Sequence, residues 1–103
     1  ALVNLAKSLS KEFGGRGVRV NTVDPGPVAT DLWFGGDGVA ATIGAAHDVD
    51  REAVAAGAAA AMVTGRFTRP EEVADIVLLL SSVRTANVTG ADFTIDGGLV
   101  TTV

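Results

Sequence analysis

Between residues 2 and 13 apolar side chains recur at helical spacing. Leu2, Leu5, Ala6, Leu9 and Phe13 share one face, and Asn4, Lys7, Ser8, Lys11 and Glu12 share the other. This predicts an amphipathic helix that stops at Gly14-Gly15, where glycine supplies a left-handed end at little cost. Residues 18–23 (VRVNTV) form a β-branched run that predicts a strand. Asp24-Pro25-Gly26-Pro27 is expected to end it, since two prolines and a glycine do not continue a ladder. From 28 to 64 the pattern weakens. Thr30 or Asp31 caps a short helical turn through Leu32-Trp33-Phe34, and Gly35-Gly36-Asp37-Gly38 breaks it. An alanine-rich helix then runs from Asp48 or Asp50 to about Met62. Thr68-Arg69-Pro70-Glu71 reads as a capping box, with Thr68 the cap and Glu71 reaching back. It opens a helix whose stripe is Val73, Ile76, Val77 and Leu80 and which closes at Ser81-Ser82. Asn87-Val88-Thr89-Gly90 is a turn. Residues 91–96 (ADFTID) are a second strand with Phe93 and Ile95 on one face, closed by Gly97-Gly98.

The order helix, strand, helices, helix, strand predicts an α/β fold with a parallel sheet. Parallel sheets are covered on both faces and two strands are too few for one, so further strands are expected. The first helix starts at Ala1 with no Ser, Thr, Asp or Asn cap, which supports the same expectation of missing chain upstream. Alone, this chain is expected to be unstable or to aggregate, because strand edges and apolar stripes stand open.

Composition narrows the function classes. Apolar residues make up 48% and charged residues 19% of 103, which is globular and argues against disorder. The net charge is −4 and the eight Lys and Arg are scattered, so there is no basic footprint for nucleic acid or an anionic membrane. With no cysteine there is no disulfide or thiol chemistry, which suits a cytoplasmic protein. The small-residue run 53–63 is too short to span a bilayer, and no signal peptide is readable.

Four segments, in order, resemble the short-chain dehydrogenase/reductase family. Residues 20–30 (VNTVDPGPVAT) are similar to its strand-and-loop V-N-x-V/I-x-P-G-x-V/I-x-T, and 65–74 (GRFTRPEEVA) to its G-R-x-x-x-P-E-E-V-A helix start. Val88-Thr89-Gly90 followed by Ile95-Asp96-Gly97-Gly98 resembles its closing segment, and residues 1–9 resemble the helix after its Tyr-x-x-x-Lys motif. The resemblance implies that residues 1–103 are the C-terminal part, about two-fifths, of a single Rossmann-type domain with a doubly wound parallel sheet. It implies an NAD- or NADP-dependent oxidoreductase acting on a small-molecule alcohol or carbonyl substrate, and a homotetramer or homodimer. The family's Gly-rich loop and its catalytic Ser, Tyr and Lys have no counterpart here, and the chain has no tyrosine. No catalytic residue is therefore assigned, and the chain alone is expected to be inactive. Lys7 lies on the polar helix face and reads as a solvated residue. A non-catalytic relative that keeps the fold for binding or assembly is the alternative.

The Pro-Gly loop is the candidate site. A loop leaving the C-terminal end of a parallel strand is where ligands bind in open α/β sheets. Gly26 permits close backbone approach and the prolines hold one shape; the competing reading is a simple turn. The resemblance assigns nicotinamide contacts to Val28 and Thr30, with Pro25, Gly26 and Pro27 as the scaffold. Residues 31–66 are read as a mobile substrate lid, with glycines as hinges. Trp33 and Phe34 leave two readings open, a wall of the substrate pocket or an anchor of the lid. His47, Asp48 and Asp50 do not complete a metal site, and Glu71 and Glu72 are cap and dipole partners, not a catalytic pair. The wide apolar surface of the last helix and the uncharged tail 99–103 suit a subunit contact.

Overall fold

The structure, a computed structural model, describes residues 1–30, 33, 38–46 and 50–101. Asp31, Leu32, Phe34, Gly35, Gly36, Asp37, His47, Asp48, Val49, Thr102 and Val103 lie outside the described residues, and with them the expectations placed on them. The elements run α1 (Leu2–Phe13), β1 (Thr22–Pro25), α2 (Val39–Ala46), α3 (Arg51–Ala60), α4 (Pro70–Ser81) and β2 (Asp92–Ile95). Short 3-10 turns at Gly14–Arg16 and Val83–Thr85 follow α1 and α4.

β1 and β2 pair in parallel, with Thr22 opposite Asp92 and Pro25 opposite Ile95. The strand thus starts four residues later than the β-branched run suggested and takes in Asp24-Pro25. The ladder explains why. Thr22 N–H donates to Ala91 O at 3.0 Å and Gly26 N–H to Ile95 O at 2.8 Å. Even-numbered amides face β2, so the ring nitrogen of Pro25 faces away and its missing donor removes no bond. Residues 18–21 fall outside the strand; they are held by the Gly90 N–H, which donates to Val20 O at 2.7 Å, and by side-chain bonds to the 88–89 turn. In β2, Phe93 and Ile95 are half-buried on one face and Asp92 and Thr94 exposed on the other, as the alternation predicts.

The end of α1 also departs from expectation. Gly14 is right-handed and continues into the 3-10 turn, and the left-handed residue is Gly17, at φ 79°. Within the described chain α1 buries only Ala6 of its apolar stripe, together with Ser10; Leu9 and Phe13 are half-buried and Leu2 stays 71% exposed. Gly90, at φ 68°, explains this contact, since a Cβ there would lie 2.7 Å from Ser10 Oγ. Lys7 is exposed but not merely solvated, because Nζ donates to Gly90 O at 3.0 Å.

The cap of α4 sits one residue later than the sequence pattern suggested. Arg69 occupies the cap position, and the Glu72 carboxylate accepts from its N–H at 2.9 Å. Thr68 is committed elsewhere. Its N–H donates to Pro27 O at 3.2 Å and its carbonyl accepts from Ala29 N–H at 2.8 Å, a parallel bridge to the Pro-Gly loop. Val73, Ile76 and Leu80 are half-buried, while Val77, Leu78 and Leu79 are exposed. At the other end of α4, the Arg19 guanidinium donates to the carbonyls of Leu80 (2.8 Å), Val88 (3.1 Å) and Ser82 (3.3 Å), a cation on the negative helix end.

The weak region 28–64 holds a helix the apolar pattern did not predict. α2 and α3 pack chiefly on each other, and their buried residues are Ala40, Gly44 and Ala55. Small side chains at i and i+4 let the backbones approach, and that signal is invisible to a search for bulky stripes. Asp50 stands at the cap position of α3, as expected. The molecule measures 55 × 26 × 26 Å and exposes 6987 Å². A folded monomer of this mass exposes about 5,400 Å². The excess includes Leu2 and Leu5 of α1 and Leu78 and Leu79 of α4, surfaces built to be covered.

Candidate functional site

β1 delivers the chain at its C-terminal end into Pro25-Gly26-Pro27, and the bridge to Thr68 holds the loop against the start of α4. Pro25, Gly26, Val28, Thr30, Trp33, Pro70 and Val73 line a concavity of about 470 Å³ there. That falls inside the range of small-molecule sites, roughly 300–1,000 Å³. Four of the five residues singled out from the sequence, Pro25, Gly26, Val28 and Thr30, line it together. Pro27 does not; its carbonyl anchors the loop by accepting from Thr68.

The loop is shaped by its own bonds. Thr30 N–H donates to Val28 O at 2.8 Å, and the Thr30 hydroxyl reaches the same oxygen at 3.4 Å. Trp33 N–H donates to Thr30 O at 3.0 Å, which turns the chain across the concavity. The Val28 carbonyl is thereby spent within the loop, while among the described residues nothing accepts from the Val28 N–H. The Trp33 ring stands edge-on to Phe67 with centroids 5.0 Å apart and planes at 89°, an arrangement favoured by the ring quadrupoles. Phe67 is buried, so Trp33 is pinned as a wall.

Gly26 has a structural reason that the sequence did not disclose. A Cβ at this position would lie 2.8 Å from Asp96 Cβ, so the loop rides directly on the turn after β2. Asp96 was read only as part of a closing motif. It is buried, with Oδ1 accepting from Gly98 N–H at 2.8 Å and Oδ2 from Val100 N–H at 2.9 Å. These amides, Val100 foremost, hold its carboxyl below the usual range. Pro70 and Val73 also went unnoticed as lining residues; their position at the proline of the G-R-x-x-x-P segment and three residues beyond it was the available signal.

Two pairs of charged side chains lie outside the lining of the concavity. The Arg66 guanidinium forks onto Glu72 at 2.6 and 2.9 Å. That hydrogen bond first, and the Arg69 N–H second, pull the Glu72 carboxyl down to about 2. On the outward face of the sheet Asp24 and Asp92 share a hydrogen bond, which raises the Asp24 pKa and lowers that of Asp92, the latter also held by the Thr22 hydroxyl. A second concavity of about 430 Å³ lies at the opposite end of the strand, lined by Gly17, Arg19, Asn21, Val23, Val77, Leu80 and Ser81. Its one cation, Arg19, is committed to three carbonyls, so the Pro-Gly end carries the better case. Among the described residues no helix is long and apolar enough to cross a membrane.

Comparison with known proteins agrees with this geometry. The family profile described as enoyl-(acyl carrier protein) reductase matches residues 1–100. The chain is 39% identical over 97 residues to D-threitol dehydrogenase of Mycolicibacterium smegmatis, covering 94% of this chain and 32% of that protein. It is 41% identical over 99 residues to 2-(S)-hydroxypropyl-CoM dehydrogenase 3 of Xanthobacter autotrophicus, covering 96% and 36%. Among solved structures, L-sorbose reductase from Gluconobacter frateurii, complexed with NADPH and L-sorbose, superposes with a TM-score of 0.86 at 27% identity, over 99% of this chain and 38% of that one. The chain therefore spans about a third of the length of the curated relatives it matches. The α/β architecture with its parallel strands is that of the Rossmann-type sheet in these proteins.

Proposed function

Because the chain belongs to the short-chain dehydrogenase/reductase family, we propose that it is the C-terminal part of one Rossmann-type domain and carries the nicotinamide-side loop of an NAD- or NADP-dependent oxidoreductase. The observation that carries this reading is the convergence of Pro25, Gly26, Val28 and Thr30 on one concavity at the C-terminal end of a parallel strand. The donor set fits a nicotinamide: the Val28 N–H suits the carboxamide oxygen, Thr30 supplies a hydroxyl, and the remaining wall is apolar enough for the ring. When bound, the nicotinamide exchanges a hydride with an alcohol or carbonyl carbon, and a proton balances the charge on oxygen. This chain's residues bind and orient; with no tyrosine among them, the proton must be handled by residues outside it.

Residues 31–66 serve as the substrate lid in this reading. The small-residue packing of α2 on α3 supports it, since few bulky contacts anchor the pair. The exposed Leu78, Leu79 and Val100 support a homo-oligomer, tetramer or dimer. Sedimentation of the full-length protein tests the assembly, and a monomer at micromolar concentration rejects it.

The functional test is absorbance assay of the full-length protein with NADH and NADPH against polyols, ketones and 3-oxoacyl thioesters. Turnover with one of them is expected, and none from residues 1–103 alone. Tight cofactor binding without turnover of any alcohol or carbonyl compound would favour the non-catalytic alternative.

A further inference from the structure

The turn that follows β2 touches two parts of the molecule at once. On one side it seats the Pro-Gly loop: Gly26 N–H donates to Ile95 O at 2.8 Å, and a Cβ on Gly26 would stand 2.8 Å from Asp96 Cβ and 3.1 Å from Asp96 Cα. On the other side it seats the segment that leaves the helical pair. Thr64 N–H donates to Gly97 O at 3.1 Å. A Cβ on Gly97 would collide with Thr64 Oγ1, and one on Gly98 would lie 2.8 Å from Val63 Cγ2. The turn keeps this shape by two devices. Gly97 and Gly98 adopt φ of 64° and 85°, which side-chain-bearing residues resist. The Asp96 carboxylate, only 8% exposed, ties down Gly98 and Val100, and its carbonyl accepts from Leu99 N–H at 3.2 Å.

Resting on the nicotinamide reading of the Pro-Gly loop, we infer that Asp96 is a positioning residue: through the turn 96–99 it sets the cofactor loop and residues 62–64 relative to each other, so that occupation of the concavity is felt at the exit of the α2–α3 pair. Asp96 touches neither cofactor nor substrate. Its carboxylate fixes one rigid piece to which two others are each tied by a backbone hydrogen bond and packed closely enough to exclude a Cβ on the facing glycines. A shift of Gly26 is passed on rather than absorbed locally, because backbone bonds tie Gly26 N–H to Ile95 O at 2.8 Å and Thr64 N–H to Gly97 O at 3.1 Å, and Gly26 has no room for even a Cβ beside Asp96. Met62 is buried beside the turn, so the displacement reaches the end of α3 rather than dissipating in solvent.

The test uses the full-length protein, wild type and the variants Asp96→Asn and Asp96→Ala. Amide exchange at Gly26 and Thr64 is followed with and without NADH or NADPH, beside KM and kcat. Asp96→Asn keeps the acceptor facing Gly98 and loses the one facing Val100. Asp96→Ala is expected to speed exchange at both amides together and to raise the cofactor KM about tenfold, with Asn between the two. At saturating cofactor kcat should fall less than about threefold, the split expected of positioning rather than chemistry. In the wild type, cofactor should slow exchange at Thr64, and in Asp96→Ala that effect should vanish. Two results overturn the inference: cofactor that binds the wild type yet leaves Thr64 unchanged, or Asp96→Asn affecting one amide without the other. If Asp96→Ala does not fold, Asp96→Asn decides by the same paired readout. If neither cofactor binds the wild type, the nicotinamide reading falls, and the joint between Gly26 and Thr64 is still decided by their paired exchange in Asp96→Asn.

Discussion

The sheet end of the molecule and the α2–α3 pair are both rich in small residues, but they use them in opposite ways. Around β1, β2 and α4, glycines sit where another segment presses too close for a Cβ: Gly26 on Asp96, Gly90 on Ser10, Gly98 on Val63. Long-range bonds bind this region, with Arg19, Asn21 and Thr22 each reaching residues more than sixty positions away. In the helical pair Ala40, Gly44 and Ala55 let the two helices approach each other, but few large side chains fill the rest of the contact. Gly57 of α3 has nothing within 4 Å of where its Cβ would stand. A glycine count says nothing of stiffness; what lies opposite each missing Cβ does. The scaffold is over-determined at the point where the Pro-Gly loop meets it, and the proposed lid is not.

Substitutions in the full-length protein can break this contrast. Gly98→Ala should have the largest effect, a loss of about 3 kcal/mol, since it combines a positive φ with a close contact to Val63. Chemical denaturation would measure it, and a neutral result would mean the turn is not rigid. Arg19→Ala removes two bonds at the C-terminal end of α4 and one to Val88 in the turn before β2, and should cost about 2 kcal/mol. Arg19→Lys should recover only part of that, because a single ammonium does not reproduce the fork.

On the other side of the comparison, Gly57→Ala should raise stability by about 0.5–1 kcal/mol, the ordinary helix gain with no contact to disturb. A loss there would show that α3 packs more closely than described. The smallest effect at neutral pH belongs to Glu72. Its carboxyl is lowered to about 2 from 4.5, so its contribution is present above about pH 4.5 and is lost as the pH falls toward 2. Glu72→Gln should flatten that part of the acid limb of a stability profile by slightly lowering stability above about pH 4.5, where the contribution is present, and by leaving it nearly unchanged near pH 2.

The contrast also explains what the sequence disclosed. α1, α4 and β2 were legible because large apolar residues mark their faces with a clear period. β1 was displaced by four residues because its register is set by β2, seventy positions away, and not by its own β-branched run. α2 escaped notice because its buried positions are Ala40 and Gly44, which carry no apolar stripe. The loop residues were legible as a group, since Pro25-Gly26-Pro27 is conspicuous. The partners that shape the site were not: Phe67 behind Trp33, Thr68 bridging Val28 and Asp96 beneath Gly26 are neighbours only in space. The cap of α4 was misplaced by one residue for the same reason, Thr68 having been taken by the loop.

The central claim is that the concavity of the Pro-Gly loop holds the nicotinamide. Trp33, the one tryptophan of this chain, lines that concavity and emits where reduced nicotinamide absorbs. Titrating the full-length protein with NADH or NADPH should therefore quench Trp33 and sensitise nicotinamide emission, and the sensitised emission should fall in Trp33→Phe while binding persists. Bound NADH or NADPH whose sensitised emission is the same in wild type and Trp33→Phe would put the nicotinamide elsewhere and contradict the account.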